Sequence, residues 1–229
     1  MSLVTQVIDI PREVPVMTLS QTVLFPQAMM PLYIFEPRYR EMLSDVLAND
    51  RIFAVAALNE SEEDAEALET PYSVAGVGVI RACRQNSDGT SNLILQGLAR
   101  VNFEEIVRED PYRKARIREI VSEAGGPQEA IRTIQSGVID LIKTQARLGS
   151  GIPREVIRFL GNIKEPENVL DLAIYTLCPS STLKQELLET QGILPRYDKF
   201  RNFLQAEIER LKLDLRLKGG LDEKGIGNN

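Results

Sequence analysis

Apolar residues recur along this chain at two spacings, and the change from one to the other falls near Gly125. Before that point, short apolar runs bounded by Pro, Gly, Asn and Asp predict β-strands. After it, apolar residues return every three or four positions, which predicts amphipathic helices. The sequence Gly125-Gly126-Pro127 interrupts both patterns and indicates a boundary. We therefore predict four segments: a lead-in at 1–13, a strand-rich lobe at 14–125, a helical lobe at 126–218 and a polar tail at 219–229.

The strand-rich lobe opens with a block at 14–58, which predicts strand, turn, strand, helix and strand. Pro26 and Pro31 bound the turn because a proline cannot continue a strand ladder. Pro37 suits the start of the helix, where its missing N–H costs nothing. The apolar run 52–58 predicts a strand covered on both faces. We expect the helix to bury one face, made of these residues: Tyr39, Met42, Leu43, Val46 and Leu47.

A β-hairpin is predicted next, with strands at 74–84 and 92–96 and an Asp88-Gly89 turn signal between them. Gly76 and Gly78 lie in the first strand, where we expect a bulge or a close crossing of two backbone segments. They are not a nucleotide loop, because neither GxGxxG nor GxxxxGK[ST] is completed anywhere in the chain. A phosphate-binding loop is therefore not expected.

The charges of the strand-rich lobe are mostly negative: residues 1–125 carry 12 Lys and Arg against 19 Asp and Glu. Six of the acidic residues fall in 59–70, which indicates either an acidic docking loop or a solvent-exposed loop that only connects two strands. Two further strands are predicted at 101–107 and 112–121. Arg116 and Arg118 in the second of these indicate a solvated strand face or a site for an anionic partner. Nucleic acid is not an expected partner, because gripping phosphates requires clustered cations.

The helical lobe has prolines at three predicted helix starts, namely Pro153, Pro166 and Pro195. The last helix is the longest, and Gly219-Gly220 is expected to end it. Its apolar residues are spaced 3, 4, 4, 3 and 4 apart, close to a heptad seam: Tyr197, Phe200, Leu204, Ile208, Leu211 and Leu215. This spacing predicts packing on the preceding helices or, alternatively, a homodimer through a coiled coil.

The composition excludes several kinds of chemistry. Histidine is absent from all 229 residues, which removes Ser-His and Cys-His pairs and imidazole metal ligands. Cys83 and Cys178 are far apart in sequence and are expected to be buried free thiols. No apolar run is long enough for a membrane span and no signal peptide is recognisable, so we expect a soluble, cytoplasmic protein. Catalysis, a metal site and a cofactor are not expected.

The opening block also contains these residues in this order: Val16-Met17-Thr18-Leu19, Val23, Phe25-Pro26, Pro31-Leu32, Ile34-Phe35-Glu36 and Arg38. The order resembles the amino-terminal substrate-binding domain of the Lon protease family, although that family often has leucine or proline early in the first strand. The stretch 97–103 is similar to the family's G-x-x-R-x-x-I stretch, and 184–189 with the following long helix is similar to the domain's end. The resemblance spans 12–218.

This resemblance implies an α+β fold, with a PUA-like open β-barrel lobe that is mostly antiparallel and contains one amphipathic helix, followed by an α-helical lobe with a long C-terminal helix. It also implies a non-catalytic module that binds unfolded or damaged polypeptides, or an adaptor for a protease or chaperone. The ATPase and the Ser-Lys peptidase of full-length Lon are not found in the sequence. An RNA-binding PUA-like module and a stand-alone hydrolase are the alternatives.

We expect the polypeptide-binding residues in the turn between the first two strands. Met29 and Met30 are the main candidates, because methionine is flexible and polarizable and suits surfaces that accept varied partners. Gln27 and Phe25 lie beside them, and we expect Phe25 and Phe35 to point inward. The alternative is that both methionines fill gaps in the core.

Overall fold

Six strands and six helices form in the residues that the computed structural model describes, 8–59 and 70–225, with side chains described as far as 217. Most of the acidic segment 59–70 and of the lead-in therefore lies outside the described residues. The strands are β1 (Glu13–Leu19), β2 (Met29–Ile34), β3 (Ile52–Ala57), β4 (Val74–Gln85), β5 (Ser91–Arg108) and β6 (Lys114–Glu119). The helices are α1 (Pro37–Ala48), α2 (Gln128–Arg147), α3 (Arg154–Asn162), α4 (Pro166–Leu177), α5 (Ser181–Glu189) and α6 (Ile193–Gly225).

The strands form one mixed sheet in the order β2-β5-β4-β3-β1-β6, and a further pairing of β5 with β6 turns five of them into an unevenly closed ring. Only β1 and β3 pair in parallel among the strand pairs of the described chain; the other pairs are antiparallel. The predicted α+β class, with a barrel-like set of mostly antiparallel strands, is confirmed. β2 is attached outside the ring, along the first half of β5.

β5 is one 18-residue strand and not the two strands predicted at 92–96 and 101–107. Gly97 does not end it, because the strand continues through register shifts that change its direction. Its first half pairs with β2 and β4, and its second half pairs with β4 and β6. The length of β5 is what allows the ring to close while β2 stays outside it.

The interior of the ring is filled by small and β-branched side chains, which suit a narrow barrel. They come from five of the six strands: Val14, Val16, Ile52, Ala54, Ala56, Ala75, Val77, Val79, Val101, Ala115 and Ile117. All six residues of β3 are buried, as predicted for a strand covered on both faces. In α1 the expected inward face is buried except for Leu47, which is exposed at the end of the helix.

Contacts divide the chain into two compact units, Met1–Val121 with Cys178–Glu189 and Ser122–Leu177 with Thr190–Asn229. The segment Cys178–Glu189, which contains α5, groups with the sheet. Within that unit, the Arg100 guanidinium donates to the carbonyl of Leu188 (2.7 Å) and the Gln185 amide donates to the carbonyl of Val74 (3.0 Å).

In the helical unit, α6 packs on α2 through the first part of its apolar seam. Tyr197, Phe200, Leu204 and Ile208 are all buried, which confirms the predicted packing of this helix on the preceding ones. The expected stop at Gly219-Gly220 is wrong, since α6 continues to Gly225. Helix-forming leucine, glutamate and lysine follow the two glycines and favour continuation.

Candidate functional site

The loop between β1 and β2 crosses the sheet at very short range. The Gln27 N–H donates to the carbonyl of Gly97 (2.9 Å), and the Gly97 N–H donates to the carbonyl of Ala28 (2.9 Å). A Cβ on Gly97 would lie 2.0 Å from the carbonyl oxygen of Phe25, and one on Gly76 would lie 2.2 Å from that of Leu24. The close crossing predicted from the glycines of β4 is confirmed. The crossing anchors the chain just before β2 starts at Met29.

Two of the four predicted site residues belong to the core. Phe25, which belongs to the crossing loop, has a fully buried side chain, as expected. Met30 is only 5% exposed, so the expectation that it is available for contact is wrong. Gln27 and Met29 are exposed, with Gln27 in the left-handed region at φ 64°. The two methionines are separated because they lie in a strand, where consecutive side chains point to opposite faces.

The same alternation creates a continuous exposed apolar surface along β2. Met29 (49% exposed), Tyr33 (53%) and Phe35 (58%) point away from the core, and exposed Pro31 lies between them. The expectation that Phe35 points inward is wrong, because it falls on the odd-numbered side of the strand. The rings of Tyr33 and Phe35 stack with centroids 5.8 Å apart. We call Met29, Pro31, Tyr33 and Phe35 the apolar strip.

The strip continues onto the neighbouring strands through the sheet register. Pro31 pairs with Ile94 of β5, which pairs with Ala82 of β4. A shallow groove of about 360 Å³ runs along this row, and Tyr33 and Arg84 form part of its wall. The lining of the groove is mostly apolar, and its charged group is the Arg84 guanidinium at the side. Ligand-binding pockets in proteins commonly combine an apolar lining with a few polar groups in this way.

Pro31 also limits the addition of a further strand along the outer edge of β2. β2 is the outermost strand of the sheet order, and proline in the middle of an edge strand removes a backbone donor from the ladder. A polypeptide could not form a complete set of main-chain hydrogen bonds by adding as another strand. Contact through side chains across the exposed face is therefore the mode that this strand favours.

The period-2 alternation of β2 was the signal that could have identified the strip from the sequence. Once β2 is placed at 29–34, Tyr33 and Phe35 must share a side with Met29 and oppose Met30 and Ile34. The sequence interpretation placed 27–30 in a turn, assigned no side to Tyr33 and expected Phe35 to point inward, so it missed both aromatic residues. The pairing of Met29 with Gln96 shows that the strand begins two residues before Pro31.

The cations of β6 do not form a site for an anionic partner. Arg116 forms ion pairs with Glu105 and with Glu13 (3.2 Å), and Arg118 forms one with Glu104 (3.0 Å). These side chains are exposed, so each pair contributes little to stability. Their positive charge is already matched by carboxylates of neighbouring strands, which supports the solvated-face interpretation.

A cluster of polar side chains beside β1 joins the sheet to α1. The Tyr39 hydroxyl donates to the carbonyl of Thr18 and accepts from its N–H (3.1 Å each), and Arg113 donates to the Thr18 hydroxyl (3.0 Å). Tyr112 donates to Asp45 (2.6 Å), and burial, with this hydrogen bond second, raises the pKa of Tyr112. These hydrogen bonds connect α1 with β1 and with the segment that precedes β6, so the cluster has a structural role.

Reactive and metal-binding groups are sparse in the part of the chain that the structure describes. Within those residues, no three His, Cys, Asp or Glu side chains gather where they could hold a metal ion. Both cysteines are free thiols; Cys178 is buried, whereas Cys83 is partly exposed, contrary to expectation. The described helices include none with the length and hydropathy needed to cross a membrane.

Replacing Met30 and Met29 separately by alanine is expected to give different results. Met30→Ala should lower the free energy of unfolding by about 2 kcal/mol, because it leaves a cavity in the core. Met29→Ala should change it by less than about 0.5 kcal/mol, as is usual for exposed positions. Urea denaturation followed by circular dichroism measures both values. Equal losses would contradict the assignment of the two side chains to opposite faces.

The fold defines a class of protein: an α+β domain with a barrel-like, mostly antiparallel sheet, which here carries an exposed apolar strip on β2. Residues 13–206 match the family model of the ATP-dependent protease La (LON) substrate-binding domain, so the chain belongs to that family. The Lon protease of Dictyoglomus thermophilum is 28% identical over 208 residues, which cover 90% of this chain and 26% of the relative. The Lon protease of Desulfosudis oleivorans is 26% identical over 215 residues, covering 93% and 26%.

Two solved structures have a similar fold. The N-terminal domain of a Mycobacterium avium complex Lon protease matches with a TM-score of 0.66 at 17% identity, covering 84% of this chain and 98% of that domain. The Lon N-terminal domain protein from Xanthomonas campestris matches with a TM-score of 0.56 at 16% identity, covering 82% and 96%. This chain spans about a quarter of the length of the curated relatives it matches.

Proposed function

We propose that this chain is a non-catalytic recognition module that binds apolar segments of unfolded or damaged polypeptides through the apolar strip. The observation that carries the proposal is the exposure of Met29, Tyr33 and Phe35 on one side of a strand that is fixed to the sheet. Contiguous exposed apolar patches, unlike single exposed apolar side chains, often mark a binding site on a monomer. Membership of a substrate-binding domain family supports the same role.

The dimensions of the strip suit a short extended segment. Seven residues from Met29 to Phe35 span roughly 20 Å at about 3.3 Å per residue. Tyr33 and Phe35 provide rigid apolar area, and Met29 adapts to different side chains. Because the strip has few polar groups that would select one sequence, it should bind many different segments weakly. We expect a dissociation constant on the order of micromolar, which corresponds to a binding free energy of about 8 kcal/mol.

Bound polypeptides would then be passed to a protease or chaperone, and we propose that the module works with such a partner in the cytoplasm. A homodimer through α6 stays a prediction. Leu215, which is exposed, follows Leu211 in the seam beyond the residues that pack on α2 and supports that arrangement.

The strip is tested by binding to reduced, carboxymethylated α-lactalbumin, which cannot refold. Tyr33→Ser/Phe35→Ser should weaken binding at least tenfold in fluorescence anisotropy, because it removes both aromatic contacts. The melting temperature should change by less than about 3 °C, since the two side chains are exposed in the free protein. Met30 is left unchanged in this design because its loss would disturb the core.

The matched control is Leu213→Ser/Leu217→Ser on α6, which removes apolar side chains that are 55% and 58% exposed. This control should bind the unfolded protein as the unchanged chain does. Equal weakening by both double variants would mean that general surface hydrophobicity drives binding, and the proposal would fail. A titration with RNA tests the alternative of an RNA-binding module. Tight binding of RNA that weakens steeply as the salt concentration rises would support that alternative instead.

A further inference from the structure

A second surface with different chemistry lies within the helical unit, between α2 and α3. Two adjoining depressions of about 770 and 590 Å³ follow these helices and share four lining residues: Asp140, Lys143, Arg154 and Ile157. The loop that joins the helices contains Gly149 and Gly151 at φ 85° and 78°, conformations that favour glycine. We call the two depressions together the α2–α3 groove.

The α2–α3 groove is strongly basic although the chain as a whole has a net charge of −6. Five cations and one carboxylate line it: Arg132, Lys143, Arg147, Arg154, Arg158 and Asp140. Asp140 pairs with Lys143 (2.9 Å). Within the described residues, Arg132, Arg154 and Arg158 have no ion-pair partner. The unmatched charge is therefore concentrated along one side of the unit.

The helical repeat explains this concentration. In α2, residues 132, 139, 140, 143 and 147 follow one another at intervals of 7, 1, 3 and 4, which places them on one face. In α3, Arg154 and Arg158 are four residues apart and therefore also share a face. The opposite face of α2 is buried and carries Ile131, Ile134, Val138 and Ile142. The groove thus combines the exposed faces of two amphipathic helices.

The groove is also partly apolar. Ile139, Ile152 and Ile157 line it and are half-buried, so they are covered only in part by the protein itself. A ligand that bears only negative charge would leave this apolar surface in contact with water. A ligand that combines carboxylates with aliphatic side chains would satisfy both the guanidinium groups and the isoleucines.

Nucleic acid fits the groove less well than an acidic polypeptide does. Single-stranded nucleic acid is usually held by aromatic side chains on which bases stack, and none of the lining residues of the described groove is aromatic. Asp140 lies in the middle of the groove, where it would oppose a phosphate backbone. Aliphatic side chains of a peptide, by contrast, can contact the isoleucines directly.

We infer that the α2–α3 groove is a second docking site, separate from the apolar strip, which binds an acidic polypeptide segment that also carries aliphatic side chains. The carboxylates of the segment would pair with Arg154 and Arg158 on one side and with Arg132 on the other. The site uses residues of the helical unit and shares none with the apolar strip, which lies in the sheet unit.

The test uses a fluorescein-labelled 16-residue peptide of glutamate with leucine at every third or fourth position. The unchanged protein should bind it, and Arg154→Glu/Arg158→Glu should weaken binding at least tenfold. The matched control Lys199→Glu/Arg216→Glu makes the same change in net charge at exposed positions that do not line the groove, and it should weaken binding less than twofold. Arg154→Gln/Arg158→Gln serves as a second groove variant if charge reversal impairs folding.

Three comparisons distinguish the outcomes. Equal loss in the groove and control variants would show an effect of net charge alone and overturn the inference. If a peptide with serine in place of leucine binds as tightly as the leucine peptide, the isoleucines of the groove do not contribute to binding. If a 16-nucleotide oligothymidylate binds more tightly than the leucine peptide, the groove is a nucleic-acid site instead. Tyr33→Ser/Phe35→Ser should leave binding of the acidic peptide unchanged, so failure of the proposed function can be distinguished from failure of this site.

Discussion

Gly97→Ala is expected to lower the free energy of unfolding of the sheet unit by about 4 kcal/mol. Ordinary overpacking costs about 1–3 kcal/mol. Here the added Cβ would lie 2.0 Å from the carbonyl oxygen of Phe25 and 3.3 Å from the Cα of Pro26, so backbone and not a flexible side chain would have to move. The movement would also break the two hydrogen bonds that Gly97 forms with Gln27 and Ala28. Urea denaturation measures the loss.

Gly137→Ala is the matched control, since nothing lies within 4 Å of a Cβ at that position in α2. Alanine is the better helix former, so this variant should be more stable by about 0.5–1 kcal/mol. Gly97→Ala should also weaken binding at the apolar strip, because the anchored loop leads directly into β2. A Gly97→Ala protein as stable as the unchanged chain would show that the loop does not cross the sheet as described.

Arg196→Ala is expected to destabilise the helical unit by about 4 kcal/mol. Arg196 is fully buried at the start of α6 and pairs with Asp171 (3.2 Å) and Glu167 (2.7 Å) of α4. Removing one partner of a buried ion pair costs about 3–5 kcal/mol, because it leaves the other charge desolvated. The change would leave Asp171, itself 1% exposed, without its guanidinium partner. Thermal and chemical denaturation measure the effect.

Two controls distinguish the effect of leaving a buried charge unpaired from the effect of removing an arginine side chain. Arg210→Ala removes an exposed pair with Glu207 (2.8 Å) and should cost less than about 1 kcal/mol. The double variant Arg196→Met/Asp171→Leu removes both buried charges and should recover most of the stability lost in Arg196→Ala. If the double variant is no more stable than the single one, packing of the arginine and not charge pairing is its main contribution.

Sequence periodicity predicted the buried face of α6 correctly from Tyr197 to Ile208, because a helix buries residues according to a repeat that the sequence itself contains. It predicted the burial of β3 for the same reason, since an uninterrupted apolar run has no polar face to expose. The glycines of β4 correctly indicated a close crossing. The identity of the crossing segment required the structure, as it depends on contacts between residues distant in sequence.

The expected exposure of the candidate site residues was correct for Met29 and Phe25 and wrong for Met30. The interpretation as a loop assigned Met29 and Met30 the same exposure, whereas the strand places them on opposite faces. The register with β5 decides which side faces water, and a shift of one residue would have exposed Met30 and Ile34 instead. The α2–α3 groove was likewise hidden, because its cations come from two helices whose shared faces only tertiary packing brings together.

The sequence alone therefore determined the α+β class, the main helices and strands and the family, since these depend on local composition, periodicity and motif order. Tertiary structure alone decided the ring closure by β5, the outward side of β2 and the burial of Arg196. Each of these depends on pairing between segments far apart in the chain. Local residue patterns constrain such pairing but do not specify its register or its partner.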